Sequence, residues 1–249
     1  MEQRSPEWHS HRKLHANASE AGAVIKCNPW KPRNPDQLLQ VKLGNEKIFV
    51  NKAMKFGTFY EDEALAALEA HTGVLFNPEV MSKTHNNVPY SASLDGLEVN
   101  FEVEAKRVEG GTDAGDDALS SVSDASRKCE SEPDQKGAGS GEGENDSPDT
   151  AGRQGLGIAE IKCPFKGKES KLWLATLDGK IPKYYLAQME QQMFVSGATY
   201  CHFFVYTPTD KSFLHQIIES DLELRAEIIS KWEEFWPTYA AQLKEIKND

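Results

Sequence analysis

Gly157-Ile158-Ala159-Glu160-Ile161-Lys162-Cys163-Pro164 is a short apolar run with two charges inside it. Alternate side chains of a strand point opposite ways, so Ile158, Glu160 and Lys162 share one face and Ala159, Ile161 and Cys163 the other. The run is Ile-rich, too short for an independent helix, and closed by a Pro that stops a strand. It therefore reads as a strand presenting a carboxylate and an ammonium side by side. A second triplet of the same form, Glu104-Ala105-Lys106, also lies on a strand-like stretch, so the triplet alone does not decide. Context selects Glu160, because Glu104 sits in a more polar run that leads into a segment with no Phe, Trp or Tyr.

Reading outward from that strand, the elements alternate in type. Toward the N-terminus a helix is predicted over Glu20–Ile25, capped by Asn17 or Ser19. A second helix is predicted over Thr58–His71 and ends at Gly73, with Glu61, Leu65 and Leu68 on one face. Tyr90–Leu94 reads as a strand ending in an Asp95-Gly96 turn, with Leu97–Lys106 as the returning strand. Toward the C-terminus come a helix over Lys183–Ser196 stopped by Gly197, strands over Tyr200–Tyr206 and Phe213–Glu219, and an amphipathic helix over Asp221–Lys247 with Pro237 as a bend. The fold class is α/β (α+β): a central mixed sheet flanked by helices on both faces.

Between Val108 and Arg153 the composition changes. There are 12 acidic and four basic residues and no Phe, Trp or Tyr. That net of −8 leaves only −3 of the chain's −11 for all remaining residues. A segment of this kind buries too little apolar surface to offset the entropy of ordering, and it is expected to be a disordered acidic insertion. Functional signals lie on both sides of it, so residues 1–249 are read as one domain carrying 108–153 within a loop. Lengthening a surface loop costs little, because closure entropy grows with the logarithm of its length.

Other classes are excluded or disfavoured by composition. Cys27, Cys129, Cys163 and Cys201 form no C-x-x-C pair, which argues against a zinc ribbon, an iron–sulfur cluster or a disulfide framework. No run approaches the roughly 18 apolar residues of a membrane span. The first residues contain no apolar leader, so an intracellular location is expected, with nucleus and cytoplasm not distinguished.

Asp95, Glu160 and Glu61 are carboxylates aimed inward near one ammonium, Lys162. Such a set suits Mg2+ or Mn2+, hard cations that take oxygen ligands from the protein, water and phosphate. Phosphodiester hydrolysis needs that outfit: a water made nucleophilic near neutral pH, and charge set against the phosphorus centre. The plainer reading of the Glu160–Lys162 pair is a salt-bridged strand edge.

The order of short motifs carries more weight. Trp8 with Arg12 and then Ala18-Ser19-Glu20, Gly57-Thr58-Phe59-Tyr60-Glu61 with Ala64 and then Thr72-Gly73, Ala92-Ser93-Leu94-Asp95-Gly96, Glu160 to Pro164, and Tyr185, Gln188, Gln192-Met193 with Val195-Ser196-Gly197 follow one another along the chain. Together they resemble the YqaJ-like viral recombinase family, which includes the phage lambda exonuclease, within the PD-(D/E)XK nuclease superfamily and its restriction-endonuclease-like core. Asn17 stands where that family has Thr, and Leu94 where it has Pro.

The resemblance implies roles. Asp95 and Glu160 would be metal ligands, joined by the Ile161 carbonyl and by Glu61. Lys162 would orient or activate the water or stabilise the phosphate, and Gln188 would support the site. Arg12 and Ser19 would hold a DNA 5′-phosphate. It implies a 5′-to-3′ exonuclease on double-stranded DNA in recombination, with a homo-oligomer and a single-strand annealing protein as expected partners. An endonuclease of the same fold, a non-catalytic DNA-end binder, and a scaffold using the acidic insertion are the rival readings. Lys166 and Lys168, in a basic stretch after the central strand, are candidate phosphate contacts, against a solvated loop. His9, His11 and His15 lack the partners of a metal site and read as a surface cluster. Cys163 and Trp173 read as packing residues.

Overall fold

The computed structural model describes residues 1–99 and 155–248. The acidic insertion at 108–153 and the Glu104-Ala105-Lys106 triplet lie outside the described residues. The described elements are α1 (Pro6–Lys13), β1 (Ala16–Asn17), α2 (Ala21–Val24), α3 (Pro35–Leu43), α4 (Lys52–Thr72), β2 (Phe76–His85), β3 (Val88–Glu98), β4 (Gly157–Lys162), α5 (Lys171–Leu177), α6 (Lys183–Ser196), β5 (Tyr200–Thr207), β6 (Ser212–Glu219) and α7 (Leu222–Asn248).

The strands form one mixed sheet in the order β1-β3-β4-β5-β6, with β2 also paired to β3. β2 and β3 run antiparallel along their whole length, and β1 is parallel to β3 at Ala16↔Tyr90 and Asn17↔Ser91. Among the described residues β3 meets β4 antiparallel at two positions, Gly96↔Ala159 and Leu97↔Ile158. β4 is parallel to β5 throughout, and β5 is antiparallel to β6.

The alternation read in β4 separates two cores. Ile158 faces one that includes Met189, Met193, Phe203, Val205, Trp232 and Tyr239, built with α6 and α7. Ala159, Ile161 and Cys163 face the other, with Ala64 and Leu68 of α4, Phe76, Phe204 and Tyr206. Both faces of the sheet are thus covered by helices, as expected for a strand so uniformly buried. Trp173 is 6% exposed and packs, and Cys27, Cys163 and Cys201 are free thiols. Among the described residues no helix is long and apolar enough to cross a membrane.

α6 and its Gly197 stop match the sequence expectation, with Gly197 in the left-handed conformation at φ 80°. α4 starts at Lys52 rather than Thr58, because the Asn51 side chain accepts from the Met54 amide and caps an extra turn and a half.

The Asp95-Gly96 turn is corrected. β3 runs straight through both residues to Glu98, so Leu97 continues the strand instead of beginning a returning one. The reversal is at Asn86-Asn87, flanked by the pair His85↔Val88, with φ of 47° and 61°. Asn tolerates that left-handed backbone, which gives a two-residue turn the right twist for a hairpin. Gly96 serves a different need. A Cβ there would come within 2.6 Å of the Phe76 Cβ, so glycine lets that ring lie across the strand.

Candidate active site

The site forms where β3 and β4 part. Their register places Asp95 opposite Glu160, one step beyond the last paired position, Gly96↔Ala159. There the Ile161 amide donates to Asp95 Oδ2 at 2.8 Å instead of to a strand carbonyl. Asp95 and Glu160 thus stand on neighbouring strands just past the last paired position.

Glu160 is 1% exposed, and a buried carboxylate is stable only when its oxygens are satisfied. Three donors do so. Lys162 Nζ and Gln188 Nε2 (2.7 Å) bond Oε1, and Gln192 Nε2 bonds Oε2 at 2.6 Å. Gln188 and Gln192 are one turn apart on α6, so both reach the same carboxylate. Gln192 also donates to the Ser93 carbonyl at 3.2 Å, which ties α6 to β3 as well as β4.

The charges are unbalanced. Burial, then the Glu160 charge, push the Asp95 carboxyl well above the usual range, with Glu61 adding to the repulsion and Lys162 opposing it. Burial disfavours the Lys162 ammonium, but the Glu160 and Asp95 carboxylates more than offset this and raise its pKa. Lys162 is therefore a fixed cation at neutral pH. Burial pushes the Cys163 thiol up to about 12, consistent with an inert core thiol.

Two carboxylates that repel one another, Glu160 buried and Asp95 half-buried, form a natural seat for a divalent cation, whose charge removes the repulsion. Among the described residues no three His, Cys, Asp or Glu side chains gather as a metal-holding cluster. The Asp95 and Glu160 carboxylates are hard oxygen donors of the kind that fits a Mg2+-type ion, which keeps much of its shell for water and phosphate. Glu61 is half-buried on α4 and ion-paired to Arg4 at 2.6 Å. Ile161 sits between the two carboxylates in sequence and contacts Asp95 through its amide.

The N-terminal residues form a second cluster tied to the first. Arg12 Nη2 donates to Ser19 Oγ at 2.8 Å, and the Arg12 guanidinium lies 4.7 Å over the Trp8 ring. Trp8 Nε1 in turn donates to Ser93 Oγ at 2.8 Å, two residues before Asp95. Beneath them, buried Lys42 bonds Glu20 Oε2 at 2.9 Å and the His15 carbonyl at 2.8 Å. His11 and His15 stack at 3.7 Å, and His11 Nε2 lies 3.0 Å from Ser82 Oγ. Past β4, Lys166 is exposed and Lys168 is ion-paired to Asp210 at 2.6 Å.

Two features escaped the sequence reading. Gln192 lay within a quoted motif, but its direct bond to Glu160 was not assigned. An aromatic patch also borders the site. Phe56 contacts both Tyr60 and Phe165, Phe59 contacts Tyr60, and Phe59 and Phe165 are 77% and 54% exposed. The available signal was the stretch Lys47–Tyr60, which interleaves Lys47, Lys52 and Lys55 with Phe49, Phe56 and Phe59 and contains no acid.

Comparison with known proteins bears on this geometry. The profile of the YqaJ-like viral recombinase domain matches residues 7–199. Among solved structures, the alkaline exonuclease LHK-Exo from Laribacter hongkongensis superposes with a TM-score of 0.63 at 21% identity, over 98% of this chain and 97% of its own. It has also been crystallised in complex with dAMP. A phage-related exonuclease from Haemophilus somnus 129PT gives a TM-score of 0.54 at 13% identity, over 94% of this chain and 96% of its own. At these identities the likeness is one of fold. No curated protein matches the chain.

Proposed function

The chain belongs to the YqaJ-like viral recombinase family, and from that premise we propose that it is a divalent-metal-dependent DNA exonuclease acting from a 5′ end of double-stranded DNA in recombination. The observation that carries the reading is the pairing of Asp95 with Glu160 across the parting of β3 and β4, with the Lys162 ammonium beside them. Mg2+ or Mn2+ would be held by Asp95 and Glu160, joined by the Ile161 carbonyl and Glu61, and would supply Lewis-acid activation of water and charge to offset the phosphate.

The protein's own groups do the rest. Gln188 and Gln192 fix the Glu160 carboxylate, so its oxygens keep one orientation. Lys162, held as a cation, stabilises negative charge that develops on the phosphate. Arg12 and Ser19 are the anchor for a terminal 5′-phosphate, through a guanidinium and a hydroxyl already joined to each other. Lys166 and the basic, aromatic stretch ahead of Glu61 follow the DNA backbone and stack on bases. Lys168, paired with Asp210, contributes less. Residues 1–249 act as one nuclease domain with 108–153 as an insertion, working as a homo-oligomer beside a single-strand annealing protein.

The test is digestion of linear duplex DNA labelled separately at each 5′ and 3′ end, with Mg2+, against EDTA and Lys162→Ala controls and a covalently closed circle. Metal-dependent loss of 5′ label, with the circle spared and the variant inactive, is expected. Cutting of the circle identifies an endonuclease. DNA binding without cleavage in Mg2+ or Mn2+ refutes the enzymatic reading.

A further inference from the structure

Glu98 ends β3, three residues beyond Asp95, and has no part in the chemistry above. Its carboxylate accepts from three groups: the Gly157 amide at 3.0 Å, Tyr200 OH at 2.8 and 2.9 Å, and His202 Nε2 at 3.0 Å. His202 is fully buried, and its Nδ1 lies 3.0 Å from His215 Nε2.

A carboxylate can only accept, so the His202 nitrogen facing Glu98 carries a proton, and the second hydrogen bond of the chain joins His202 Nδ1 to His215 Nε2. His215 Nδ1 is buried without a hydrogen-bond partner among the described residues. Burial, then the neighbouring His202 and His71, hold His215 down to about 3, so it stays neutral. Burial alone would raise Glu98, but the bonds from His202 and Tyr200 overcome it and keep the group ionised.

We propose that Glu98 is a positioning residue that sets Asp95 against Glu160. Among the described residues the β3–β4 ladder consists of Gly96↔Ala159 and Leu97↔Ile158. Continued outward, the same register puts Glu98 opposite Gly157 on one flank and Asp95 opposite Glu160 on the other. On each flank a side-chain carboxylate takes a β4 amide: Glu98 that of Gly157, and Asp95 that of Ile161. Two side chains therefore flank the described rungs of this ladder and fix its register, and a slip of one residue would turn Asp95 to the wrong face. Glu98 is the better anchored of the two, because Tyr200 and the two histidines of β5 and β6 hold it.

The inference rests on reading Asp95 and Glu160 as a cation seat, but its first test needs no cation. Glu98→Gln keeps the volume and places an amide donor against the Gly157 amide or His202 Nε2–H. Leu68→Ala, in the second core on α4, is the control for general loss of stability. In metal-free protein, hydrogen exchange at the Ile161 amide is expected to be about tenfold faster in Glu98→Gln than in Leu68→Ala, compared at equal global stability. Mn2+ affinity, followed by titration calorimetry, is expected to fall about tenfold in Glu98→Gln and to hold in Leu68→Ala. In duplex digestion kcat falls while KM for DNA ends is unchanged. Ile161 exchange in Glu98→Gln no faster than in the control overturns the proposal. Faster exchange combined with a native protein that binds no Mn2+ supports the positioning role and refutes the cation seat instead.

Discussion

Replacing Asp95 by Asn separates the charge at the site from its shape. Asn keeps an oxygen for the Ile161 amide, so the 2.8 Å bond survives in neutral form at a cost of at most about 1 kcal/mol. What disappears is a carboxylate whose ionised form is opposed first by burial and then by Glu160. The folded-state pKa of Asp95 lies above its unfolded value, so the metal-free native state holds the proton more tightly. Stability from this group is therefore greatest at acid pH and falls as pH rises from the ordinary carboxylate range through the native pKa. Metal-free Asp95→Asn should lack that decline and be at least as stable as the parent at pH 7.5. Divalent cation should do the opposite to the two proteins. At 100 times its Kd, a ligand of the native state contributes about 2.7 kcal/mol. For a chain of this size each kcal/mol is worth about 2–4 °C, which gives a rise of roughly 5–11 °C in the parent and almost none in Asp95→Asn. Differential scanning fluorimetry with Mg2+, Mn2+ and EDTA at pH 5.5 and 7.5 measures all of these. A metal-free Asp95→Asn protein melting well below the parent, or showing the parent's full shift with Mn2+, would refute the argument.

Gln192→Leu leaves Glu160 Oε2 buried without its donor, at a cost of about 1–3 kcal/mol in urea unfolding. Nuclease activity should fall by more than the unfolded fraction accounts for. Lys162→Ala should lower kcat by about 100-fold or more, the scale for losing one charge-stabilising group, while binding of a labelled duplex in EDTA is retained; full activity would remove Lys162 from the chemistry. Phe59→Ala and Phe165→Ala remove exposed rings, so stability should change by no more than about 0.5 kcal/mol. Binding of single-stranded oligonucleotide, read by anisotropy in EDTA, should weaken by about 1–3 kcal/mol for each stacked base lost. Unchanged binding would assign the patch to protein contacts, to be checked by sedimentation.

The layers of the fold were legible because β4, β5 and α6 announce themselves by local chemistry. β4 is a short Ile-rich run before Pro164, β5 an aromatic-rich run, and α6 a helix with a glycine stop. β2 was missed because its burial is shallow: among Phe76–His85 only Phe76 is buried, leaving little alternation to read. Without β2 the strand signal at Tyr90 lacked a partner, and Asp95-Gly96 was given the turn that belongs to Asn86-Asn87. The error arose because Gly96 has a tertiary reason, the Phe76 ring, that no local pattern encodes. At the site, Asp95, Glu160, Lys162 and Gln188 were legible as residue types in sequence order, and Arg12 and Ser19 as a pair that the fold brings into contact. The Glu98–His202–His215 chain was not legible, because its members come from three strands and its outermost members lie 117 residues apart along the chain.

The arrangement of the sheet also orders the events of folding. β2 with β3, and β5 with β6, are joined by short turns and form early, since their contacts are local. β4 inserts between these two hairpins, and its partner residues on β3 lie about sixty positions earlier in the chain. Closing that span is the non-local, slower step. Asp95 and Glu160 become neighbours only when it is complete. In a refolding experiment nuclease activity should therefore return later than the circular dichroism of the sheet, and a partly folded chain should be unable to cut DNA.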